Sequence, residues 1–327
     1  MQTFESIIPD LYPLNDHAFS EIALQLFRGQ AEGNPIYKKY LTYIGVAPDR
    51  VTHVSEIPCL PITLFKSHNI RSGDWEPEVT FLSSGTSGLP ISKHAIPSRT
   101  FYHYHSQKIF EDVYGPLNRF HVFCLLPSYL ERTGSSLVDM AGHFIAQSQS
   151  PVSGFFLKDL DGLVRQLESL DDERNILLLG VTFALLELAE QYEVDLHRCI
   201  VMETGGMKGR RPEITREELH DILKKNLNVS VVHSEYGMTE LLSQAYSQGD
   251  GQFRCPSCMR VYMKEVTDPF STEVRAAGLI NVIDLANAHS CAFIETQDLG
   301  RVDQRGHFEV LGRIDASDAR GCNLLVE

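Results

Sequence analysis

Four hydroxyl residues and two glycines stand in eight consecutive positions, Ser83-Ser84-Gly85-Thr86-Ser87-Gly88-Leu89-Pro90, directly after the apolar run Val79-Thr80-Phe81-Leu82. Glycine lets a backbone turn with positive φ and lets a ligand approach closely. Backbone N–H groups and hydroxyls in such a turn cradle an anion, phosphate above all. Taken alone, the stretch reads first as a flexible Ser/Gly loop. Further polar, glycine-bearing segments argue against that reading: Glu203-Thr204-Gly205-Gly206, His233-Ser234-Glu235-Tyr236-Gly237-Met238-Thr239-Glu240, Thr296-Gln297-Asp298-Leu299-Gly300 and Gly312-Arg313-Ile314-Asp315. No Gly-Lys-Ser/Thr follows Gly85 at Walker A spacing, and there is neither a GxGxxG fingerprint nor a GxSxG elbow. Those absences disfavour P-loop NTPases, dinucleotide dehydrogenases and α/β-hydrolases.

Elements must carry these loops. Residues 18–27 have helical apolar spacing, and prolines 58 and 61 break the chain that follows. Short apolar runs at 176–179, 199–202 and 229–232 read as strands. Helical segments at 182–192 and 215–226 separate them, the second opened by Thr215 and Glu218 in capping-box spacing. Strand–helix alternation predicts an α/β fold with a parallel sheet. Ligands of such sheets sit beyond the carboxyl ends of the strands, where the 203–206 and 233–240 segments are expected. The 83–90 loop follows a strand over 79–82. After residue 253 the pattern changes to short strands, with a hairpin around Gln304-Arg305-Gly306. The expected division is a helical segment over 1–75, an α/β nucleotide-binding core over 76–252, a β-rich subdomain over 253–311 and a tail over 312–327.

Composition limits the function classes. The chain has 327 residues, 43% of them hydrophobic, and a formal net charge of −14, which argues against a nucleic-acid scaffold. No apolar run is long enough to span a membrane, and the first residues lack a secretion signal. A cytoplasmic protein is expected. The seven cysteines are scattered and suit reduced thiols. Cys255-Pro256-Ser257-Cys258 is a CxxC, but His289 and Cys291 do not complete a zinc spacing with it, so a turn is expected and no metal is assigned there. His103 and His105, two apart, do not share a helix face and read as helix surface or pocket wall.

The four motifs together, in this order, resemble the adenylate-forming enzymes: acyl-CoA synthetases, adenylation domains and luciferases. Residues 83–90 look like their phosphate loop, Tyr236-Gly237-Met238-Thr239-Glu240 like their Tyr-Gly-x-Thr-Glu motif, Thr296 to Gly300 like their ribose-binding segment, and Gly312-Arg313-Ile314-Asp315 like their hinge. Within that superfamily, Pro127 to Leu137 and the ending Arg320-Gly321-Cys322-Asn323-Leu324-Leu325 are similar to the acyl-protein synthetase branch, the fatty-acid-activating component of bacterial luminescence fatty acid reductase. The resemblance implies ATP and Mg²⁺ as cofactors. It implies ATP binding by Ser83, Ser84, Gly85, Thr86, Ser87 and Gly88, with Ser84, Thr86 and Ser87 at the β- and γ-phosphates, Thr239 at the α-phosphate and Glu240 on Mg²⁺, a hard ion suited to carboxylate oxygen. It implies Tyr236 on adenine, Gly237 beside it, Gly205 and Gly206 lining the adenine or acyl side, Asp298 on the ribose hydroxyls and Arg313 on ribose or phosphate. Each has a plainer alternative: Tyr236 as core aromatic, Glu240 at a helix start, Asp298 in a turn, Arg313 at the surface.

The pattern departs from the family in two places. Ile91, not Lys, follows Pro90, and Lys93 stands between a phosphate contact and a surface charge. Members continue past the hinge for about a hundred residues, and this sequence ends at Glu327, so the mobile C-terminal domain with its catalytic Lys is expected to be largely absent. In the acyl-protein synthetase branch a C-terminal cysteine receives the acyl group. Cys322 stands at that place, either as this nucleophile or as an inert thiol. The resemblance thus implies acyl-adenylate formation with release of pyrophosphate, then transfer to a protein thiol, with an acceptor protein, a reductase or a carrier protein as partners. The alternatives are transfer to CoA or a carrier protein, and a non-catalytic binding module. Residues 152–157 are expected to wall the acyl pocket.

Overall fold

The computed structural model describes residues 13–84, 90–127, 134–205, 214–266 and 273–314. They fall into two compact units, Met1–Trp75 with Cys255–Glu327, and Glu76–Arg254. The first unit opens with α1 (Asp16–Gly33), capped by Asn15, whose side chain accepts from the Ala18 amide. Phe19, Ala23, Leu26 and Phe27 form its buried stripe at helical spacing. α2 (Pro35–Tyr43), β1 (Leu60–Pro61) and α3 (Leu64–Ser67) follow.

The second unit begins with β2 (Val79–Leu82) and β3 (Lys93–Ile96), which pair with each other antiparallel. Next come α4 (Arg99–Tyr114), β4 (Phe120–Leu125), α5 (Ser136–Ser148), β5 (Gly154–Phe155), α6 (Leu160–Ser169), β6 (Asn175–Val181), α7 (Thr182–Gln191), β7 (Cys199–Thr204), α8 (Arg216–Leu227), β8 (His233–Tyr236) and β9 (Ala245–Ser247). Their sheet has the order β5-β4-β6-β7-β8-β9, parallel throughout except for β9. β4 is buried along its whole length, as a strand covered on both faces must be. Phe110 of α4 packs on Phe120 of β4 and Phe144 of α5, at ring distances of 5.6 and 5.0 Å. α8 carries the expected capping box at Thr215 and Glu218, and its last turn holds Lys224 and Lys225 at the negative end of the helix dipole.

One expectation needs correction. The third central strand is β8, not 229–232. Residues 233–236 are a polar run that reads as loop, yet Ser234, Glu235 and Tyr236 are buried and paired with β7 and β9. The strand expected over 79–82 is β2, and its strand partner among the described residues is β3. Within the 152–157 stretch, residues 154 and 155 form the edge strand β5, and Phe156 packs on Phe123 at 5.5 Å.

The chain then returns to the first unit with β10 (Met259–Lys264), β11 (Ala277–Asp284), β12 (Phe293–Val302) and β13 (Phe308–Arg313). β12 pairs with β11, with β13 through the expected hairpin, and in parallel with β1, where Leu60 meets Ile294. That pairing ties the N-terminal segment to the β-rich segment. Cys255 to Cys258 form a turn closed by the Met259 amide on the Pro256 carbonyl, and neither cysteine forms a disulfide. Among the described residues no helix is long and apolar enough to cross a membrane.

Candidate active site

The 83–92 connection springs from the end of the β2–β3 hairpin, where Leu82 lies opposite Lys93. Two hydrogen bonds close its base: the Ser83 amide donates to the Ser92 carbonyl (3.1 Å), and the Ser92 amide donates to Ser83 Oγ (2.8 Å). Ser83 Oγ accepts one bond in loop closure, and its O–H keeps its capacity to donate. Ser84 and Lys93 are exposed at the two rims. Gly85, Thr86, Ser87 and Gly88 lie outside the described residues. The hairpin is tied to the turn before α5 by the Leu82 amide on the Gly134 carbonyl, at 2.7 Å. Gly134 leads into α5, the helix after β4.

The carboxyl ends of β7 and β8 lie side by side, with Thr204 in register with Glu235. Thr204 Oγ1 donates to Glu235 Oε2 in a buried contact. The Glu235 carboxylate also explains Gly237. A Cβ at that position would lie 2.3 Å from Glu235 Oε1, so the motif glycine makes room for its own neighbour. Tyr236 is 8% exposed, its ring 5.8 Å from that of Phe253. Thr239 and Glu240 form a turn after Gly237, with Glu240 only 5% exposed. The Thr239 carbonyl accepts a 2.8 Å hydrogen bond from His94 Nδ1. A carbonyl cannot donate, so Nδ1 carries the proton. Beyond β7, Gly205 has φ +70° and its carbonyl accepts from Thr182 Oγ1 at 2.9 Å. Gly206 lies outside the described residues.

Strand alternation separates two buried carboxylates by face. Glu203, in register with Ser234, meets α8 through Arg216 Nε at 3.2 Å and His220 Nε2 at 3.8 Å. Burial pushes its pKa up, but His220, Arg216 and Ser234 hold it below the ordinary value. Glu235, on the opposite face, is pushed up to about 7. Burial is the main cause, the Thr204 bond opposes it and the charge of Glu203 adds to it. Burial lowers His94 to about 4, keeping the ring neutral.

In the other unit, cross-strand pairing of β12 and β13 puts Asp298 opposite Arg313, with Arg313 Nε 3.9 Å from Asp298 Oδ1. The Asp298 amide donates to Thr296 Oγ1, whose proton goes to the Ile280 carbonyl. Arg313 is largely exposed. Cys322 lies outside the described residues.

Three residues of this region escape sequence reasoning. Glu235 is hidden in a polar run that reads as loop. His94 and His105 carry no local signal beyond strand and helix position, yet both are buried. His105 is neither helix surface nor pocket wall.

No family model and no curated protein matches this sequence. Among solved structures the chain is similar to 2-hydroxyisobutyryl-CoA ligase in the postadenylation state in complex with R3-HIB-AMP. Identity is 14% and the TM-score 0.65, over 92% of this chain and 68% of that one. It is similar to ATP-bound MatB from Rhodopseudomonas palustris, at 16% identity and TM-score 0.54, over 74% of this chain and 49% of that one. It is also similar to O-succinylbenzoate coenzyme A synthetase (MenE) from Bacillus subtilis in complex with AMP, at 16% identity and TM-score 0.53, over 74% and 50%. The chain thus spans about half the length of MatB and MenE. The likeness shows the fold: parallel strands flanked by helices, as in the N-terminal domain of adenylate-forming ligases.

Proposed function

We propose that this chain activates a carboxylic acid with ATP and passes the acyl group to a protein thiol. In the first step a carboxylate oxygen attacks the α-phosphorus. The new C–O–P linkage forms as the bond to the β-phosphate breaks, and pyrophosphate leaves. In the second, a thiolate attacks the acyl carbon, AMP leaves with the bonding pair, and the thiol proton passes to solvent. Both steps depend mainly on positioning and on stabilising charge as it develops.

The observation that carries the reading is the link between two motifs by one strand. β3 begins at the rim of the Ser/Gly loop, and its second residue, His94, bonds the carbonyl of Thr239. Ser84, Thr86 and Ser87 are assigned to the β- and γ-phosphates, with the Ser83 proton and Lys93 at the rims. Thr239 is assigned to the α-phosphate and Tyr236 to adenine, with Gly205 and Gly206 along the adenine or acyl side. Asp298 is assigned to the ribose hydroxyls and Arg313 to ribose or phosphate. Glu240 offers a hard carboxylate oxygen that fits Mg²⁺, which when bound neutralises phosphate charge. By resemblance to the acyl-protein synthetase branch the acid is a fatty acid, Cys322 takes the acyl group, and a reductase or carrier protein receives it, in the cytoplasm where ATP is available.

ATP–pyrophosphate exchange tests the reading, with a panel of fatty and aromatic acids. Exchange that requires one class of acid is the expected result. ATP binding without exchange for any acid defeats it and leaves a binding module.

A further inference from the structure

Residues 237–244 carry Thr239 and Glu240 without belonging to a helix or a strand. Such a segment has no ladder of backbone bonds to fix it. Two histidines from different elements reach it instead. His94 Nδ1, on β3, donates to the Thr239 carbonyl at 2.8 Å. His105 Nε2, on α4, shares a 2.8 Å hydrogen bond with Ser243 Oγ. Both rings and Ser243 are essentially inaccessible. Burial keeps both rings uncharged, with pKa values lowered to about 4 and about 3, so neither bond is disturbed by protonation at neutral pH.

The supports of the two histidines are themselves joined. His94 faces Phe81 across the hairpin, and Phe81 packs on Tyr102 of α4, with ring centroids 4.9 Å apart. Tyr102 Oη donates to the Ser136 carbonyl at the start of α5, and Phe101 stacks on His105 at 5.3 Å. Hairpin, α4 and the 237–244 segment therefore meet through buried contacts at Thr239 itself and at Ser243, three residues beyond Glu240.

We infer that His94 and His105 are positioning residues: a buried two-histidine brace that fixes Thr239 and Glu240 against the hairpin bearing the Ser/Gly loop. The inference rests on the roles proposed above for Thr239 and Glu240. Neither histidine touches a reacting atom. Each sets where another residue stands, and displacement of a reacting group by about 1 Å costs of order 10²-fold in rate.

The test uses the full chain and two substitutions at each site. Asn places an amide N–H near the position of Nδ1, so His94→Asn keeps the donor and His94→Leu removes it. Gln does the same for Nε2 in His105→Gln, against His105→Leu. Amide hydrogen exchange over residues 236–246 and the kcat and KM of ATP–pyrophosphate exchange are measured beside the thermal midpoint. His94→Leu is expected to speed amide exchange in this segment about tenfold and to lower kcat by about 10²-fold, with the KM for the acid changed less. His94→Asn is expected to restore most of both. Equal impairment of the Asn and Leu variants would show that the ring only fills space and would overturn the brace, as would a folded His94→Leu with unchanged amide exchange. If His94→Leu does not fold, the His105 pair decides between the same two outcomes. If the wild-type chain exchanges pyrophosphate with no acid, the proposed function fails. The brace is then decided by amide exchange alone: faster exchange in the Leu variants, reversed by Asn or Gln, upholds it, and unchanged exchange overturns it.

Discussion

Replacing Glu235 by Gln is expected to change the pH dependence of stability in a defined window. The carboxyl is buried on β8, bonded by Thr204 and raised from its ordinary value of 4.5 to about 7, chiefly by burial. The hydroxyls of Tyr102 and Tyr246 are raised chiefly by burial, and the charge of Glu235 adds to the rise. Below pH 4.5 the group is protonated in folded and unfolded chains alike and contributes nothing. Between 4.5 and 7 the unfolded chain loses the proton first, so the folded state binds more protons and stability falls as pH rises. At about 1.4 kcal/mol per pH unit, the loss by pH 8 is about 3 kcal/mol. Glu235→Gln cannot ionise and escapes this loss. Urea denaturation at steps from pH 4.5 to 8 should show the variant gaining up to about 3 kcal/mol on the wild type across the series. Glu295, also raised to about 7 by burial, is present in both proteins and cancels in the difference. Parallel stability profiles would refute the argument, because they would mean that Glu235 ionises as easily in the folded chain as outside it.

Gly237→Ala should cost about 1–3 kcal/mol by forcing the Glu235 carboxylate off Thr204. In a Glu235→Ala background most of that cost should vanish, and simple additivity in the double-mutant cycle would contradict the contact. Arg99→Ala should cost about 1–2 kcal/mol at pH 7, a value reduced for the exposure of Arg99, because the buried Asp139 then keeps His103 but loses its guanidinium partner. Burial opposes ionisation of Asp139, yet hydrogen bonds from His103 and Arg99 hold its pKa below 3.8, so urea titrations should show the difference shrinking as pH falls through that lowered value. Thr86→Val should lower pyrophosphate exchange by about 10²-fold, as removal of one donor at a charged transition state does, and unaltered exchange would count against the phosphate loop. Cys322→Ala should keep exchange but lose the acyl adduct seen in the intact mass after incubation with ATP and acid, and an adduct that survives would move the acceptor elsewhere.

Legibility followed the range of the interactions. The β6 and β7 strands were readable because their apolar runs are continuous, and α8 because Thr215 and Glu218 satisfy each other within one turn. β8 was misplaced by four residues because its buried positions are polar, and hydropathy cannot register a Glu whose burial is offset by a Thr on the next strand. The hairpin was half readable: β2 is apolar, but its partner β3 begins with Lys93 and His94. Motif residues such as Tyr236 to Glu240 are legible because their spacing is local. Their supports are not, since His94 and Thr239 are 145 positions apart and His105 and Ser243 are 138 apart.

The Ser/Gly loop is mounted differently from a P-loop. In a P-loop the phosphate-binding turn runs straight from a parallel strand into a helix and is held by both ladders. Here the turn sits on a separate two-stranded hairpin, and a two-stranded hairpin alone is marginally stable at best in water. Its described hydrogen-bonded ties to the unit include Leu82 on Gly134 and His94 on Thr239, each worth about 0.5–1.5 kcal/mol net. Burial of Phe81 against Tyr102 contributes about 1.5–3 kcal/mol for one such side chain. The apolar contact therefore does more than either hydrogen bond to hold the hairpin down, but it is non-directional and tolerates sliding. The hydrogen bonds are smaller but directional, and they fix where the hairpin stops. An alteration at Phe81 should consequently loosen the whole hairpin, while one at His94 should leave it seated and misdirect Thr239.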